Sequence, residues 1–366
     1  MPTLKKIVVK DFRNIAFQEL ECSPKVNCIS GNNGEGKTNL LDAIYTLSMT
    51  KSALASSDRF NIRYGTDELQ LGGLYTLQDG TESRISLRFN AAGEKKVIRD
   101  EKPYGRISDH IGLLPVVMVS PSDSSLIQDS GAERRRFTNA VLSQMDRAYL
   151  AAIQQYNRLL QQRNSLLKDG TADPALLEVI DIKMEAAATP VYEARKAFTA
   201  RLSPIVSEYY RIISGGNEQV AIAYRSDLDH APLREVFREA ADKDRIFKYT
   251  TTGIHRDDLV FSMNGQPIRR SGSQGQQKSF LVALKFAEFD IVKGGAGIAP
   301  ILLLDDVFDK LDIGRISNLI AMVAGNGFSQ LFITDCDTAR LRTLVSGITD
   351  EHAYFEAEAG TFKRIG

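Results

Sequence analysis

The segment from residue 31 to residue 39 has residue types suited to binding phosphate. It consists of Gly31, Asn32, Asn33, Gly34, Glu35, Gly36, Lys37, Thr38 and Asn39, and matches the P-loop pattern GxxxxGK[ST]. Glycines let backbone N–H groups turn towards phosphate oxygens, and a helix after the loop directs the positive end of its dipole at the same anion. We expect Lys37 to face solvent and contact the β- and γ-phosphates, and Thr38 to be a ligand of Mg²⁺.

Two adjacent carboxylates, Asp305 and Asp306, end an apolar stretch far downstream in the chain. The stretch Pro300–Leu304 has the continuous apolar character of a strand that is buried on both faces of a sheet. Asp305 is predicted to hold Mg²⁺, directly or through water, and Asp306 to polarise an attacking water as the catalytic base. With Lys37 as a second catalytic residue, these groups predict nucleotide hydrolysis with ATP and Mg²⁺ as cofactors.

A third polar segment precedes a helix predicted at Ser279–Lys293. Its members are Ser273, Gln274, Gly275 and Gln276. Small residues at a helix start present a hydroxyl and free N–H groups to an anion, so the segment suits a second phosphate site. Because the P-loop already serves the nucleotide of its own subunit, this site is useful if it closes on the nucleotide of another copy. The prediction is a homodimer that forms around two ATP molecules.

The order of these motifs resembles that of ABC-type ATPases, and Asp309–Asp312 is similar to their D-loop. The chain as a whole resembles the bacterial RecF family, recombination mediators related to SMC ATPases. The segments that carry this resemblance are Leu4–Asn14, Gly34–Tyr45, Glu133–Phe137, Gly253–Leu259, Ser273–Lys278 and Leu304–Phe308.

The resemblance implies an ATP-dependent DNA-binding recombination mediator. Such a protein would dimerise on ATP, bind gapped DNA or single-strand/double-strand junctions, and assist RecA loading in recombinational repair, replication restart and the SOS response. RecR and RecO would be its partners, and a weak, DNA-stimulated ATPase activity would time its release from DNA. Two alternatives are another SMC-like ATPase that tethers DNA and the nucleotide-binding subunit of an ABC transporter.

Two departures from the family pattern leave roles in the site open. The Q-loop residue is either Asp123 or Gln128, because this chain has Pro121–Asp123 with a serine where the family has Pro-Glu-Asp. Thr334 and Asp335 stand in place of the switch histidine of many ABC proteins, so the sequence does not identify the sensor of the γ-phosphate. The missing histidine also disfavours the transporter alternative.

The secondary-structure pattern indicates an α/β fold in three segments. We expect an ABC-type P-loop ATPase head with mixed sheets, formed by residues 1–130 and by residues 245–366, which hold the signature segment and the paired carboxylates. At residues 131–244 apolar residues recur at helical spacing and predict a short helical arm or lid domain, with kinks at Pro190 and Pro204. This arm is too short for an SMC-type coiled coil.

Charge and composition limit the partners. The chain has 46 basic and 46 acidic residues, so DNA binding must use a local patch. The candidates are Lys5, Lys6, Lys10, Lys95, Lys96, Arg99, Arg134, Arg135, Arg136, Arg269 and Arg270. No aromatic platform for single strands is evident, so phosphate contacts to duplex DNA are expected. The longest apolar run, Ile111–Val119, is too short to span a bilayer, and cysteines without CxxC spacing suit a cytoplasmic protein.

Overall fold

The computed structural model describes residues 2–169, 173–216, 218–308, 315, 318, 330–346 and 349–365. Contacts divide the chain into two compact units. The first unit comprises Met1–Ser124, Ile212–Gly216 and Gln274–Gly366, and the second comprises Ser125–Arg211 and Asn217–Ser273. The domain boundaries at residues 130 and 244 stay a prediction, but residues 245–273, assigned to the head from sequence, lie in the second unit.

Strands form where apolar residues alternate with polar ones or run without interruption. In chain order they are β1 (Thr3–Phe12), β2 (Ile15–Glu21), β3 (Val26–Ser30), β4 (Glu68–Thr76), β5 (Glu82–Asn90), β6 (Lys95–Arg99), β7 (Lys102–Pro103), β8 (Val116–Val119), β9 (Val220–Arg225), β10 (Asp258–Met263), β11 (Gln266–Pro267), β12 (Ile301–Asp305), β13 (Gln330–Asp335), β14 (His352–Glu358) and β15 (Thr361–Arg364).

The helices occupy the segments with three- and four-residue apolar spacing. In chain order they are α1 (Lys37–Met49), α2 (Ser125–Gln128), α3 (Gly131–Met145), α4 (Arg147–Asp169), α5 (Pro174–Ser214), α6 (Leu233–Glu239), α7 (Ala241–Phe247), α8 (Ile268–Ser271), α9 (Gln274–Ala296) and α10 (Thr338–Ser346). Helix α5 continues through Pro190 and Pro204. Within the described part of the chain, no helix has both the length and the apolar character needed to cross a bilayer.

The first unit contains two sheets. One is antiparallel with strand order β2-β1-β4-β5-β6-β7. The other has the order β15-β14-β3-β13-β12-β8 and is parallel except for the β14–β15 hairpin. Every residue of β3, β8, β12 and β13 is buried, as the continuous apolar runs predict for parallel strands covered on both faces. Since parallel strands share a direction, the carboxyl ends of β3, β12 and β13 meet at one edge of this sheet.

The core of the first unit lies between its two sheets. Helix α1 contacts strands of both sheets, and its apolar residues join their inner faces in one cluster. Gln330, fully buried at the start of β13, links the sheets through its side-chain amide. It accepts a hydrogen bond from the Leu4 N–H at 2.8 Å and donates to the carbonyl oxygens of Leu4 and Ser23. The Gln330 amide therefore joins the start of β13 to β1 and to the segment before β3.

The second unit combines helices α2 to α8 with a small antiparallel sheet of order β11-β10-β9. Most of the apolar stripe predicted along α4 and α5 is buried, and the rest of it is partly buried, as expected for helices packed through this face. Two arginines are also buried there. Arg163 lies 2.6 Å from the Asp244 carboxylate, and Arg195 lies 2.5 Å from that of Asp257. We call these two ion pairs the arm core.

Candidate nucleotide-binding site

The predicted phosphate-binding loop connects the buried strand β3 to helix α1. Its glycines have positive φ angles of 152° at Gly31, 89° at Gly34 and 103° at Gly36. A Cβ atom at Gly36 would also lie 2.8 Å from the side-chain amide of Asn14, which is too close for a real contact. Glycine is therefore required for this loop shape. Residues 32–34 at the tip are exposed, so the loop can meet a ligand.

Lys37, the first residue of α1, is only 4% exposed, so the prediction that it faces solvent is wrong. Its Nζ donates to the carbonyl oxygens of Gly31 at 2.6 Å and Asn32 at 3.0 Å, and lies 3.5 Å from the Sγ of Cys336. A buried ammonium group must be hydrogen-bonded, and the loop carbonyls are the acceptors within reach. Lys37 has no carboxylate partner among the described residues, so phosphate oxygens can replace its neutral acceptors.

The two predicted metal ligands, Thr38 and Asp305, are in direct contact. The Thr38 hydroxyl lies 2.9 and 2.8 Å from the two carboxylate oxygens of Asp305, and the Thr334 hydroxyl donates to the same carboxylate at 2.8 Å. Burial raises the pKa of Asp305, and the hydrogen bonds from Thr334 and Thr38 partly offset that rise. A hydroxyl and a carboxylate at this distance are hard oxygen ligands, so the residues fit Mg²⁺.

Asp306, the predicted base, follows β12 in a left-handed conformation with a φ of 46°. Its N–H donates to the Thr334 hydroxyl at 3.1 Å, and its carbonyl oxygen accepts from Lys278 at 3.3 Å. Asp306 is partly exposed whereas Asp305 is buried, so the two carboxylates differ in environment. Thr334 therefore contacts both the predicted metal ligand and the predicted base. The predicted D-loop, Asp309–Asp312, lies outside the described residues.

The residues that replace a switch histidine are engaged within the first unit. Thr334 is fully buried, and Asp335 forms an ion pair with Arg340 at 2.5 Å. The next residue, Cys336, is exposed, and its thiol lies 3.0 Å from the side-chain oxygen of Asn33. Cys336 is therefore the residue after β13 that contacts the phosphate-binding loop, a position that the sequence alone does not reveal.

The predicted second anion segment, Ser273–Gln276, lies at the start of α9. This helix begins at Gln274, earlier than the predicted start at Ser279, because glutamine and lysine are good helix formers. The first two residues of the segment are exposed. The Ser279 hydroxyl donates to the Gly275 carbonyl at 2.9 Å and accepts from Arg315 at 2.7 Å. The helix start is thus held firmly while its leading residues stay accessible.

The two Q-loop candidates have different surroundings. Asp123 accepts a hydrogen bond from the Ser120 N–H at 2.7 Å, and its carboxylate lies 3.4 Å from the Lys285 ammonium on α9. Lys285 also lies 3.1 Å from the carboxylate of Glu288, and burial raises the pKa of Glu288 to about 7. Gln128 ends α2 and is exposed. The carboxylate of Asp123 is therefore committed to a buried charge cluster.

Sequence reasoning missed two supports of the phosphate-binding loop. Arg13, between β1 and β2, forms an ion pair with Asp42 at 2.7 Å and donates to the Asn39 side chain at 3.0 Å. The turn between β14 and β15 also contacts the loop, since the Ala359 N–H donates to the carboxylate of Glu35. These last two residues are 324 positions apart, so no local pattern connects them.

Several basic residues predicted to contact DNA are paired within the chain. The ion pairs are Lys5–Glu82, Lys6–Glu19, Lys95–Asp58, Arg99–Asp100, Arg134–Asp258 and Arg136–Glu133. Arg134 also donates to the Leu126 carbonyl, and Arg135 donates to that of Asp257, which indicates a structural role for both arginines. Lys10, Lys96, Arg269 and Arg270 are exposed and stay candidates.

Comparison with known families gives a match over nearly the whole chain. The family model of the RecF/RecN/SMC N-terminal domain matches residues 3–350. The DNA replication and repair protein RecF of Parabacteroides distasonis is 43% identical over 357 residues, or 98% of this chain and 98% of the relative. RecF of Bacteroides fragilis is 42% identical over 363 residues, or 99% of this chain and 98% of the relative.

Solved structures agree on the fold. A structure described as the recombination mediator protein RecF-ATP in the RecFOR pathway aligns with a TM-score of 0.90 at 28% identity, covering 100% of this chain and 98% of that chain. The Smc head domain of Pyrococcus furiosus aligns with a TM-score of 0.59 at 16% identity, covering 100% and 96%, which is a likeness of fold alone. The predicted ABC-type ATPase fold with mixed sheets is confirmed.

Proposed function

This chain belongs to the RecF family of the RecF/RecN/SMC group, and from that premise we propose that it is an ATP-switched DNA-binding protein that acts as a recombination mediator in replication and repair. The observation that carries the proposal is the hydrogen-bonded series Thr38, Asp305, Thr334 and Asp306 beside the phosphate-binding loop. It joins a metal position and a base position at the edge where β3 and β12 end.

Each residue of this site has a proposed task. Backbone N–H groups of residues 31–36 bind the phosphates of ATP, and Lys37 exchanges its carbonyl acceptors for β- and γ-phosphate oxygens. Thr38 and Asp305 hold Mg²⁺, which when bound neutralises charge on the phosphates. Asp306 accepts the proton of the attacking water. Hydrolysis would be slow, so that it times release from DNA.

The second anion segment gives a reason for dimerisation. Ser273 and Gln274 are exposed at the start of α9, and both are distant in sequence from Lys37 and Thr38, which serve the nucleotide of their own subunit. We propose that Ser273 and Gly275 of one subunit contact the γ-phosphate of the ATP that is bound to a second copy. ATP then favours the dimer only as far as ATP binds the dimer more tightly than the monomer.

DNA would bind to the ATP-bound dimer at gaps or single-strand/double-strand junctions. Support comes from the family, whose members include a protein described as a recombination mediator in the RecFOR pathway. RecR and RecO are the proposed partners, and RecA loading is the proposed outcome. Family membership favours this function over a transporter subunit or a structural DNA tether.

Gel filtration with and without ATP tests the switch. Wild type is expected to change from monomer to dimer on adding ATP and Mg²⁺. Lys37→Met should lose ATP binding, whereas Ser273→Arg, at an exposed position, should bind ATP as a monomer and fail to dimerise. Mixing the two variants gives a heterodimer with one doubly defective site and one intact site, so some ATPase activity should return. Normal ATP-dependent dimerisation by Ser273→Arg would contradict the sandwich arrangement.

DNA binding is tested by its dependence on ATP and salt. Affinity for duplex DNA should require ATP and fall with a log–log slope of about −0.9 per neutralised phosphate. Arg269→Gln combined with Arg270→Gln should reduce that slope without changing ATP binding. Strong sequence preference or salt-independent binding would count against a surface that contacts only phosphates.

A further inference from the structure

The second unit exposes a group of large apolar side chains next to basic ones. The exposed fractions are 77% for Ile246, 53% for Phe247 and 41% for Tyr249. The two aromatic rings are adjacent, with centroids 5.9 Å apart, and the guanidinium of Arg256 lies 5.6 Å from the centre of the Tyr249 ring. We call Ile246–Tyr249 together with Arg256 the aromatic–basic patch.

The backbone beneath the patch is firmly anchored, so the rings are held in solvent by rigid structure. Helix α7 ends at Phe247, and the next residue, Lys248, has a left-handed φ of 58° that turns the chain between the two aromatic residues. On one side of the turn, Asp244 is fully buried and pairs with Arg163 at 2.6 Å. The Thr251 N–H on the other side donates to the same aspartate at 2.8 Å. Keeping large apolar groups exposed on a fixed turn indicates a binding surface.

The charge of the patch indicates the chemistry of its partner. Exposed cations in this stretch are Lys243, Arg245, Lys248 and Arg256, and the exposed acid is Asp242, which lies 3.3 Å from Arg245. The whole chain has equal numbers of acidic and basic residues, so the positive charge beside these rings is a local excess. A positively charged surface with exposed rings suits a polyanion that also presents flat apolar groups.

We propose that the aromatic–basic patch binds single-stranded DNA, with unpaired bases stacked on Phe247 and Tyr249 and phosphates next to Lys248 and Arg256. The proposal rests on the function proposed above and gives the unpaired strand of a junction its own site. It departs from the expectation that the chain has no aromatic platform for single strands, because the sequence alone does not show that Phe247 and Tyr249 are exposed and adjacent.

Duplex DNA and protein partners fit the patch less well. In a duplex the flat faces of the bases are stacked on each other, so exposed rings gain nothing from it, and phosphate contacts need only the cations. The centre of a protein interface is typically depleted of lysine, whereas Lys248 separates the two rings of this patch.

Tryptophan fluorescence offers a direct test, because the chain contains no tryptophan. Phe247→Trp introduces one reporter into the patch, and oligothymidine should quench its emission while a blunt hairpin duplex should not. In a binding assay with labelled oligothymidine, Phe247→Ala and Tyr249→Ala should each weaken affinity by about fivefold to a hundredfold, as expected for loss of one stacked base. Tyr64→Ala, which changes a fully exposed ring in the first unit, is the matched control and should have no effect.

The other outcomes separate this proposal from the proposed function. Loss of oligothymidine binding with normal ATP-dependent duplex binding supports the patch as a single-strand site. Unquenched emission together with unchanged affinity in the double alanine variant would overturn it, even if ATP-dependent duplex binding is normal. A blue shift that depends on protein concentration without DNA would also overturn it, because a second copy would then cover the patch. Absence of ATP-dependent duplex binding in wild type would count only against the proposed function.

Discussion

The nucleotide site and the arm core both bury charged side chains, but they satisfy those charges in different ways. In the nucleotide site, Lys37 hydrogen-bonds to backbone carbonyls, and Asp305 accepts hydrogen bonds from the hydroxyls of two threonines. In the arm core, Arg163 and Arg195 each face the carboxylate of an aspartate. In the nucleotide site the buried charges are therefore hydrogen-bonded to neutral groups, whereas in the arm core they form ion pairs with groups of opposite charge.

This difference distinguishes residues that are expected to bind a ligand from residues that stabilise the fold. A buried charge without a counter-ion is costly, and it is tolerated where a ligand can supply the opposite charge. A buried ion pair is complete without a ligand, and removing one partner leaves the other uncompensated. Family resemblance marks residues of both kinds, since Lys37 and Asp257 both lie in matching segments. Their surroundings indicate which of them is expected to meet ATP.

The largest effect on stability is expected in the arm core, for Arg195→Met. Arg195 donates to Asp257 at 2.5 Å, to the Ile254 carbonyl at 2.7 Å and to the Asn139 side chain at 3.1 Å. Methionine keeps much of the volume but leaves the Asp257 carboxylate buried without its cation. The free energy of unfolding, measured in urea, should fall by about 3–5 kcal/mol.

Arg211→Met is the matched control for this change. Arg211 is on the same helix, but its side chain is 62% exposed and pairs with the exposed Glu208. Its replacement should leave the free energy of unfolding nearly unchanged. An equal decrease in the free energy of unfolding in the two variants would show that the buried ion pair stabilises the fold no more than an exposed one does. The proposed difference between the two regions would then be wrong.

In the nucleotide site, Asp306→Asn should change activity and not stability. The residue has a φ of 46°, and asparagine tolerates this left-handed conformation, so the backbone is undisturbed. ATP turnover should fall at least about a hundredfold, which corresponds to about 3 kcal/mol in the barrier, while the ATP-dependent dimer persists. Asp305→Asn is the comparison and should weaken Mg²⁺-dependent ATP binding. Wild-type turnover in Asp306→Asn would remove it from the base role.

Much of the fold could be predicted because its signals are local. The phosphate-binding loop from Gly31 to Gly36 and the apolar run before Asp305 each carry a complete pattern within about ten residues. In the structure the loop connects strand β3 to helix α1, and the apolar run forms strand β12. The start of α9 was predicted too late because the glycine and serines before Ser279 suggested a loop. The glutamines and the lysine at residues 274–278 are good helix formers, and the Ser279 hydroxyl donates to the Gly275 carbonyl, so the helix begins at Gln274.

The missing parts of the site depend on contacts between distant residues. The bridge from Thr334 to Asp305 and the burial of Lys37 arise only when β3, β12 and β13 align at one edge. In the same way, the resemblance marked Arg134 without showing that Asp258 neutralises it. Charge identity is local in sequence, whereas charge compensation is a property of the fold.

A smaller effect is expected for Thr334→Val, which tests the bridge between the two carboxylates. Valine keeps the shape of threonine but removes the hydroxyl that donates to Asp305 and accepts from the Asp306 N–H. The buried Asp305 carboxylate and the partly buried Asp306 N–H each lose a partner, so the free energy of unfolding should fall by about 1–3 kcal/mol. Thr334→Ser keeps the hydroxyl and should restore both stability and turnover. Equal turnover in valine and serine variants would mean that the bridge does not position the base.

The smallest effect concerns the cluster of Asp123, Lys285 and Glu288, which is intermediate between the two regions because two carboxylates share one cation. Burial raises the pKa of Glu288 from 4.5 to about 7, with Lys285 lowering and Asp123 raising it. Between these values the folded state binds more protons at Glu288 than the unfolded state does, so the contribution of this group to stability is fully present below about pH 4.5 and is lost as pH rises through 7.

From pH 6 to 7.5 this group alone should lower the free energy of unfolding by about 1 kcal/mol. Glu288→Gln keeps the shape and removes the titration, so its stability relative to wild type should rise over the same interval. Glu185→Gln, at a partly exposed glutamate, controls for general loss of charge. A parallel pH profile for Glu288→Gln and wild type would show that Lys285 fully compensates both carboxylates. The cluster would then resemble the ion pairs of the arm core, in which each buried charge is fully compensated.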